Sequence, residues 1–213
     1  MAILLLDTKI EIQNALDTVD TITDISNASE AVITATHDYS VGDLIVIDAV
    51  VGMDQINKRV VRVKSVNTTV DFTCEDLDST GFNAYISGGT AQKVTTMLPF
   101  NNATSFSFPE PSPNRIDVTP INKSTKVEVF GLDDAPQISI PMIADPLAPH
   151  VAEMRAASKA KTDRVFKVTL KNGYILIFNG GVAGGRGFDG SVGAAGTSSA
   201  SITLSSEEQW FAS

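Results

Sequence analysis

The chain has 213 residues, 43% hydrophobic and 19% charged, enough for one domain or for a domain carrying a smaller insert. Its formal net charge of −9 excludes a protein that grips nucleic acid through its phosphates, which takes a basic surface, but not one that must avoid sticking to nucleic acid. A single cysteine, Cys74, excludes an internal disulfide framework and a cysteine-rich metal site.

The opening MAILLLDTKIEI holds an apolar run of a few residues that soon meets Asp7 and Lys9. It has no basic leader and is far short of a bilayer span, so a chain folding in a cytoplasm without export is expected. Short β-branched runs follow: AVIT at 31–34, DLIVID at 43–48, RVVRVKSV at 59–66 and VDFTC at 70–74, with Gly42, Gly52 and Asn67 among the breaks. In RVVRVKSV neither alternating face is clean, as in a small closed barrel or a twisted, partly exposed ribbon. Cys74 ends an apolar alternation and reads as a small core residue. Glu75-Asp76-Leu77-Asp78 lacks the glycine and terminal glutamate of a calcium loop and reads as a solvated turn.

Strands resume near residue 94: TSFSFP, RIDVT, KVEVF, QISIP, RVFKVTL, YILIF and SASITL. One helix interrupts them. Asp145 is its expected cap and Pro146 its first turn, with Leu147, Val151, Met154 and Ser158 on the packed side. Arg155, Lys159 and Lys161 fall late, where cations suit the helix dipole. Lys171-Asn172-Gly173-Tyr174 reads as a two-residue Asn-Gly hairpin. That register pairs Leu170 with Ile175 and Val168 with Ile177, giving an apolar core face. Lys167, Thr169, Leu176 and Phe178 then form a second face, which suits either a neighbouring subunit or a twisted surface strand. No βαβ alternation occurs, so a mainly β fold with one helix is expected.

Gly185-Arg186-Gly187-Phe188-Asp189-Gly190 spells the G-x-G-x-x-G of a dinucleotide-binding turn. That motif needs a helix after its glycines and an acidic residue about twenty positions on. Here SVGAAGTSSASITL follows, which is a poor helix and ends in another strand. The stretch reads as a strand-to-strand loop, and no cofactor is expected. His37 and His150 stand far apart with no ligand-like neighbour at i+2 or i+4, so no metal is expected. No nucleophile elbow is present, so no catalytic residue is assigned.

Two segments resemble known families. Residues 22–94 carry His37, Gly42 and Asp43 in an H-x-x-x-x-G-D pattern, and Gly52, Met53, Asn57 and Arg59 in G-M-x-x-x-N-x-R. With DSTGFNAYISGGT at 78–90, they resemble a small β module frequent in phage tail proteins. That module is similar in fold, not activity, to the first catalytic-cysteine half-domain of ubiquitin-activating enzymes. Residues 1–21 and 95–213 resemble the major tail tube protein of long, non-contractile phage tails. The resemblance rests on SFSFPEPSPNRIDVT (105–119), EVFGLDDAPQISIP (128–141), the single helix and FKVTLKNGYILIFNGGVAG (166–184). The sequence departs from that family at Phe130, where proline is expected, and at Ala135-Pro136, where glycine is usual.

The resemblance implies a β-sandwich with one α-helix and an inserted, small barrel-like β module. It implies a non-enzymatic virion protein, assembled in the host bacterial cytoplasm, whose hexameric rings stack into a tail tube. The implied partners are further copies of itself, a tape-measure protein, a tail terminator and distal tail or baseplate proteins. DNA passes through an acidic lumen without specific binding, and no membrane insertion is implied. Asp117 and Glu128, opposite the apolar Ile116, Val118, Val127 and Val129, are candidates for the lumen, although they equally suit plain solvent. Pro109, Arg115, Phe178, Arg186 and Asp189 are candidates for inter-subunit contact. A receptor- or carbohydrate-binding tail module is the alternative reading.

Overall fold

A computed structural model describes residues 6–67, 69–184 and 187–212. In chain order the strands begin with β1 (Lys9–Leu16), β2 (Asp20–Ile25), β3 (Val32–Ala35) and β4 (Leu44–Val51). A 3-10 turn at Asp54–Ile56 leads to β5 (Val60–Asn67), β6 (Asp71–Cys74) and β7 (Ser87–Pro99). Next come β8 (Ser112–Asp117), β9 (Glu128–Asp134), β10 (Gln137–Ile143) and the helix α1 (Pro149–Ala160). The chain finishes with β11 (Asp163–Thr169), β12 (Ile175–Gly184), β13 (Thr197–Leu204) and β14 (Gln209–Phe211). Among the described residues the protein is thus mostly β-strand with a single α-helix.

Strands β2 to β7 close into a six-stranded barrel in the order β7-β2-β3-β6-β5-β4, with β4 returning to pair β7. Closure removes free edges, and alternate side chains fill the interior. Ile22, Ile33, Ile45, Ile47, Val61 and Phe72 meet there, all nearly or fully buried. Gly52 has φ +96°, and a Cβ on it would sit 2.5 Å from the carbonyl oxygen of Ala84, so only glycine fits that turn.

The second unit is a sheet ordered β10-β13-β12-β11-β1-β7, with β14 beside β12. α1 lies on one face of it, where Val151 and Met154 join a core with Ile12, Phe166, Phe178 and Ile202. Strand β7 belongs to both units. Its Ser87–Lys93 stretch pairs β4 in the barrel, and its Val94–Pro99 stretch pairs β1 in the sheet. A third cluster joins the units: Leu44 and Val60 from the barrel against Val165, Ile177 and Phe211 from the sheet.

Two local expectations are corrected. The helix begins at Pro149, three residues later than its predicted first turn. Asp145 instead accepts the Leu147 amide at 3.2 Å in a preceding turn, leaving Leu147 91% exposed. The β11–β12 hairpin is also one residue out of its predicted register: Phe166 faces Phe178, Val168 faces Leu176 and Thr169 faces Ile175. The Gly173 amide bonds the Leu170 carbonyl, and Gly173 takes φ +90°, so the loop has three residues closed by a left-handed glycine. A one-residue slip exchanges the faces of a strand. Leu176 and Phe178 therefore enter the helix-side core, and Ile177 turns to the barrel.

Candidate functional site

Strands β8 and β9 form a two-stranded sheet separate from the twelve-stranded one. They make a projecting arm with an alternating pattern. Arg115 pairs with Phe130 and Asp117 with Glu128 on one face; Ile116 pairs with Val129 on the other. The Val118 amide bonds the Val127 carbonyl at 2.9 Å, placing that pair beside Ile116 and Val129. The four aliphatic side chains are 39–49% exposed, so their own chain leaves the apolar face only partly covered. An isolated two-stranded hairpin is at best marginally stable in water, and a contiguous apolar patch marks a docking surface.

The charged face carries both lumen candidates. Asp117 Oδ1 accepts the Thr119 hydroxyl at 2.6 Å and the Thr119 amide at 2.9 Å, which hold the carboxyl below its usual range. Glu128 is held low first by Lys126 and then by Arg115, whose Nη1 lies 3.4 Å from Oε2. Each carboxylate is thus locally neutralised or fixed, which lets two like charges stand opposite on neighbouring strands. They remain charged at neutral pH. Arg115 also lies 5.7 Å from the Phe130 ring centre.

The contact candidates do not converge on one place. Pro109 is exposed in the segment before β8, and Arg115 is on the arm. Asp189 is exposed and exchanges two backbone hydrogen bonds with Thr197, at 2.8 and 2.7 Å. Arg186 lies outside the described residues. Phe178 is a correction: at 1% exposure it stacks on Phe166 with ring centres 5.2 Å apart and is a core residue. The changed hairpin register is the reason, since it turns Phe178 inward.

Gly180 to Gly184, just before the G-x-G-x-x-G letters, pair with Leu204 to Ala200, so β12 continues as strand up to Gly184. No helix follows Gly190; the chain goes into β13. Cys74 is fully buried, which pushes its thiol pKa far up. His37 stacks on Tyr39 inside the barrel, whereas His150 packs on Phe100 under the helix, so the two belong to different cores. Among the described residues no group of three His, Cys, Asp or Glu side chains is placed to hold a metal ion.

The closed barrel has a recognisable relative. Residues 28–95 match the ubiquitin-activating enzyme E1 FCCH domain. The match covers β3 to β6 and most of β7, and β2 completes the barrel just before it. No curated protein matches the chain.

The docking of this FCCH-like module is extensive, and sequence reasoning missed it. The Lys58 carbonyl accepts Asn179 Nδ2 at 3.0 Å and Ser206 Oγ at 2.9 Å. Lys58 Nζ reaches Asp163 at 3.1 Å, and Arg59 pairs with Glu207. Three features far apart in sequence thus meet here: the turn after Ile56, the Asn179 side chain and the link before β14. The mixed faces of RVVRVKSV are the signal that existed: Val60 is buried against the sheet, while Val61 fills the barrel.

Proposed function

We propose that the chain is a structural, self-assembling subunit: the major tail tube protein of a long, non-contractile phage tail, with the FCCH-like barrel as an inserted module. The carrying observation is the β8–β9 arm, whose aliphatic face of Ile116, Val118, Val127 and Val129 is exposed on its own chain. A second copy is the cover that a stacked assembly supplies. The Val94–Pro99 end of β7 supports the same reading: among the described residues it pairs only with β1, leaving its other edge to accept a strand. Rings closed edge to edge satisfy such strands.

In such a tube the acidic chain suits the conduit. A negative lumen repels DNA phosphates, so the genome slides instead of binding. Asp117 and Glu128 are the lumen candidates of this reading. Its partners are further copies, a tape-measure protein, a tail terminator and distal tail proteins, in the virion tail. Electron microscopy and sedimentation velocity of concentrated protein test it. Sixfold rings and stacked tubes are expected; a strictly monomeric protein at high concentration overturns it.

A further inference from the structure

The chain holds two Asn-Gly pairs, Asn172-Gly173 and Asn179-Gly180. Such pairs are open to one spontaneous reaction of asparagine, in which the next residue's amide nitrogen attacks the side-chain carboxamide carbon. Glycine favours it because no Cβ obstructs the approach and the backbone turns freely. The fold gives the same two letters opposite surroundings.

Asn179 is held from every side. It is 4% exposed, its Nδ2 donates to the Lys58 carbonyl at 3.0 Å, and its own carbonyl accepts the Ser205 amide at 2.9 Å. Gly180 is paired with Arg164 on one side and Leu204 on the other. Ring closure here would pull the carboxamide off Lys58 and turn Gly180 against Ile202 and Thr203, where even an added Cβ would have no room.

Asn172 stands exposed in the loop between β11 and β12. Its Oδ1 accepts the Tyr174 amide at 3.3 Å, which folds the carboxamide forward along the chain toward Gly173. Its Nδ2, the group that leaves in the reaction, donates to nothing among the described residues. Gly173 already sits at φ +90°. The one brake is the hydrogen bond from the Gly173 amide to the Leu170 carbonyl at 2.9 Å. In an exposed loop such a bond opens at little cost.

We infer that Asn172 is a site of spontaneous deamidation and that Asn179 is protected from it. The Gly173 nitrogen bonds to the Asn172 side-chain carbon and gives up its proton, and Nδ2 leaves with that proton as ammonia. Water then opens the cyclic imide at either carbonyl, so the products are aspartate and isoaspartate. Either product adds one negative charge beside the Lys171–Asp7 ion pair. The isoaspartate form also lengthens the loop backbone by one methylene, which the Gly173–Leu170 closure does not fit.

The test is incubation at mildly alkaline pH, folded and unfolded in guanidinium chloride, followed by peptide mapping by mass spectrometry. Labelling with an isoaspartyl methyltransferase marks the isoaspartate product. In the unfolded chain both pairs are expected to convert at similar rates. In the folded protein Asn172 is expected to convert at least about tenfold faster than Asn179, because an exposed loop opens far more readily than paired strands. Asn172→Gln is expected to remove the acidic species from anion-exchange chromatography, since glutamine closes its larger ring far more slowly. Asn172 that stays intact in the folded protein while the unfolded chain converts overturns the site. So does equal conversion of the two pairs in the folded protein, or an acidic species that persists in Asn172→Gln. An unfolded chain that converts neither pair overturns it as well.

Discussion

The Arg62 guanidinium, on the barrel, lies 4.3 Å from the ring centre of Phe211, on the last strand of the sheet. Arg62 also pairs with Glu75 and donates to the Ala212 carbonyl at 3.3 Å, so one side chain ties barrel wall, barrel loop and terminal strand together. Arg62→Ala removes all three contacts and leaves Glu75 partly buried without its cation. A loss of about 2 kcal/mol is expected in urea unfolding. A loss below about 0.5 kcal/mol shows that the clamp is ornamental.

Two glycines separate backbone necessity from a chance motif. A Cβ on Gly180 would lie 2.7 Å from Ile202 Cγ2 and 2.7 Å from the Thr203 carbonyl oxygen, whereas one on Gly187 would meet nothing within 4 Å. Gly180→Ala is expected to cost about 2–3 kcal/mol through strain between β12 and β13. Gly187→Ala, inside the G-x-G-x-x-G letters, is expected to change stability by less than about 0.5 kcal/mol. Thermal melts of the pair check both values.

His150 makes stability depend on pH. Burial lowers its pKa from the ordinary 6.5, against a smaller opposing pull from Asp145, and its Nε2 is buried without a partner. The unfolded chain therefore takes up this proton at higher pH than the folded one. The stabilising contribution is complete above about 6.5 and declines as pH falls from there to the lower folded-state pKa. His150→Gln is expected to flatten that decline. Urea midpoints at neutral and mildly acidic pH measure it, and equal slopes in both proteins refute it.

The arm's apolar face predicts a separation of folding from assembly. Ile116→Asp with Val129→Asp alters side chains already exposed in the single chain. The melting temperature of the monomer is expected to stay within about 2 °C, while tubes disappear from electron micrographs. Normal tubes from this variant remove the arm from the assembly surface.

The existence of strands was legible because β-branched alternation survives in RVVRVKSV, KVEVF and QISIP. Register was less so. Asn172-Gly173 marks a turn, but a two-residue and a three-residue loop share those letters, and the choice decides whether Phe178 or Ile177 faces the helix. The helix start was misplaced because Asp145-Pro146 and Pro149 both provide starting chemistry, and only packing selects the second. The arm shows a deeper limit. Ile116 and Val118 alternate like a core face, and no local pattern distinguishes a face covered by its own chain from one left exposed. The seam was illegible for a similar reason: Val60, Ile177 and Phe211 meet across long sequence separations.

Strand β7 sets an order of events for a chain emerging from the ribosome. Every barrel strand has appeared once residue 93 is out, whereas β1 also pairs with β11, whose residues Phe166 to Thr169 come much later. The barrel is therefore expected to fold first, and the continuation of β7 to Pro99 then offers β1 its first edge. Ile10 and Ile12, waiting for the rest of their sheet, gain one hydrogen-bonded neighbour early. The barrel is thus expected to act as a nucleation template for the sheet that shares β7 with it.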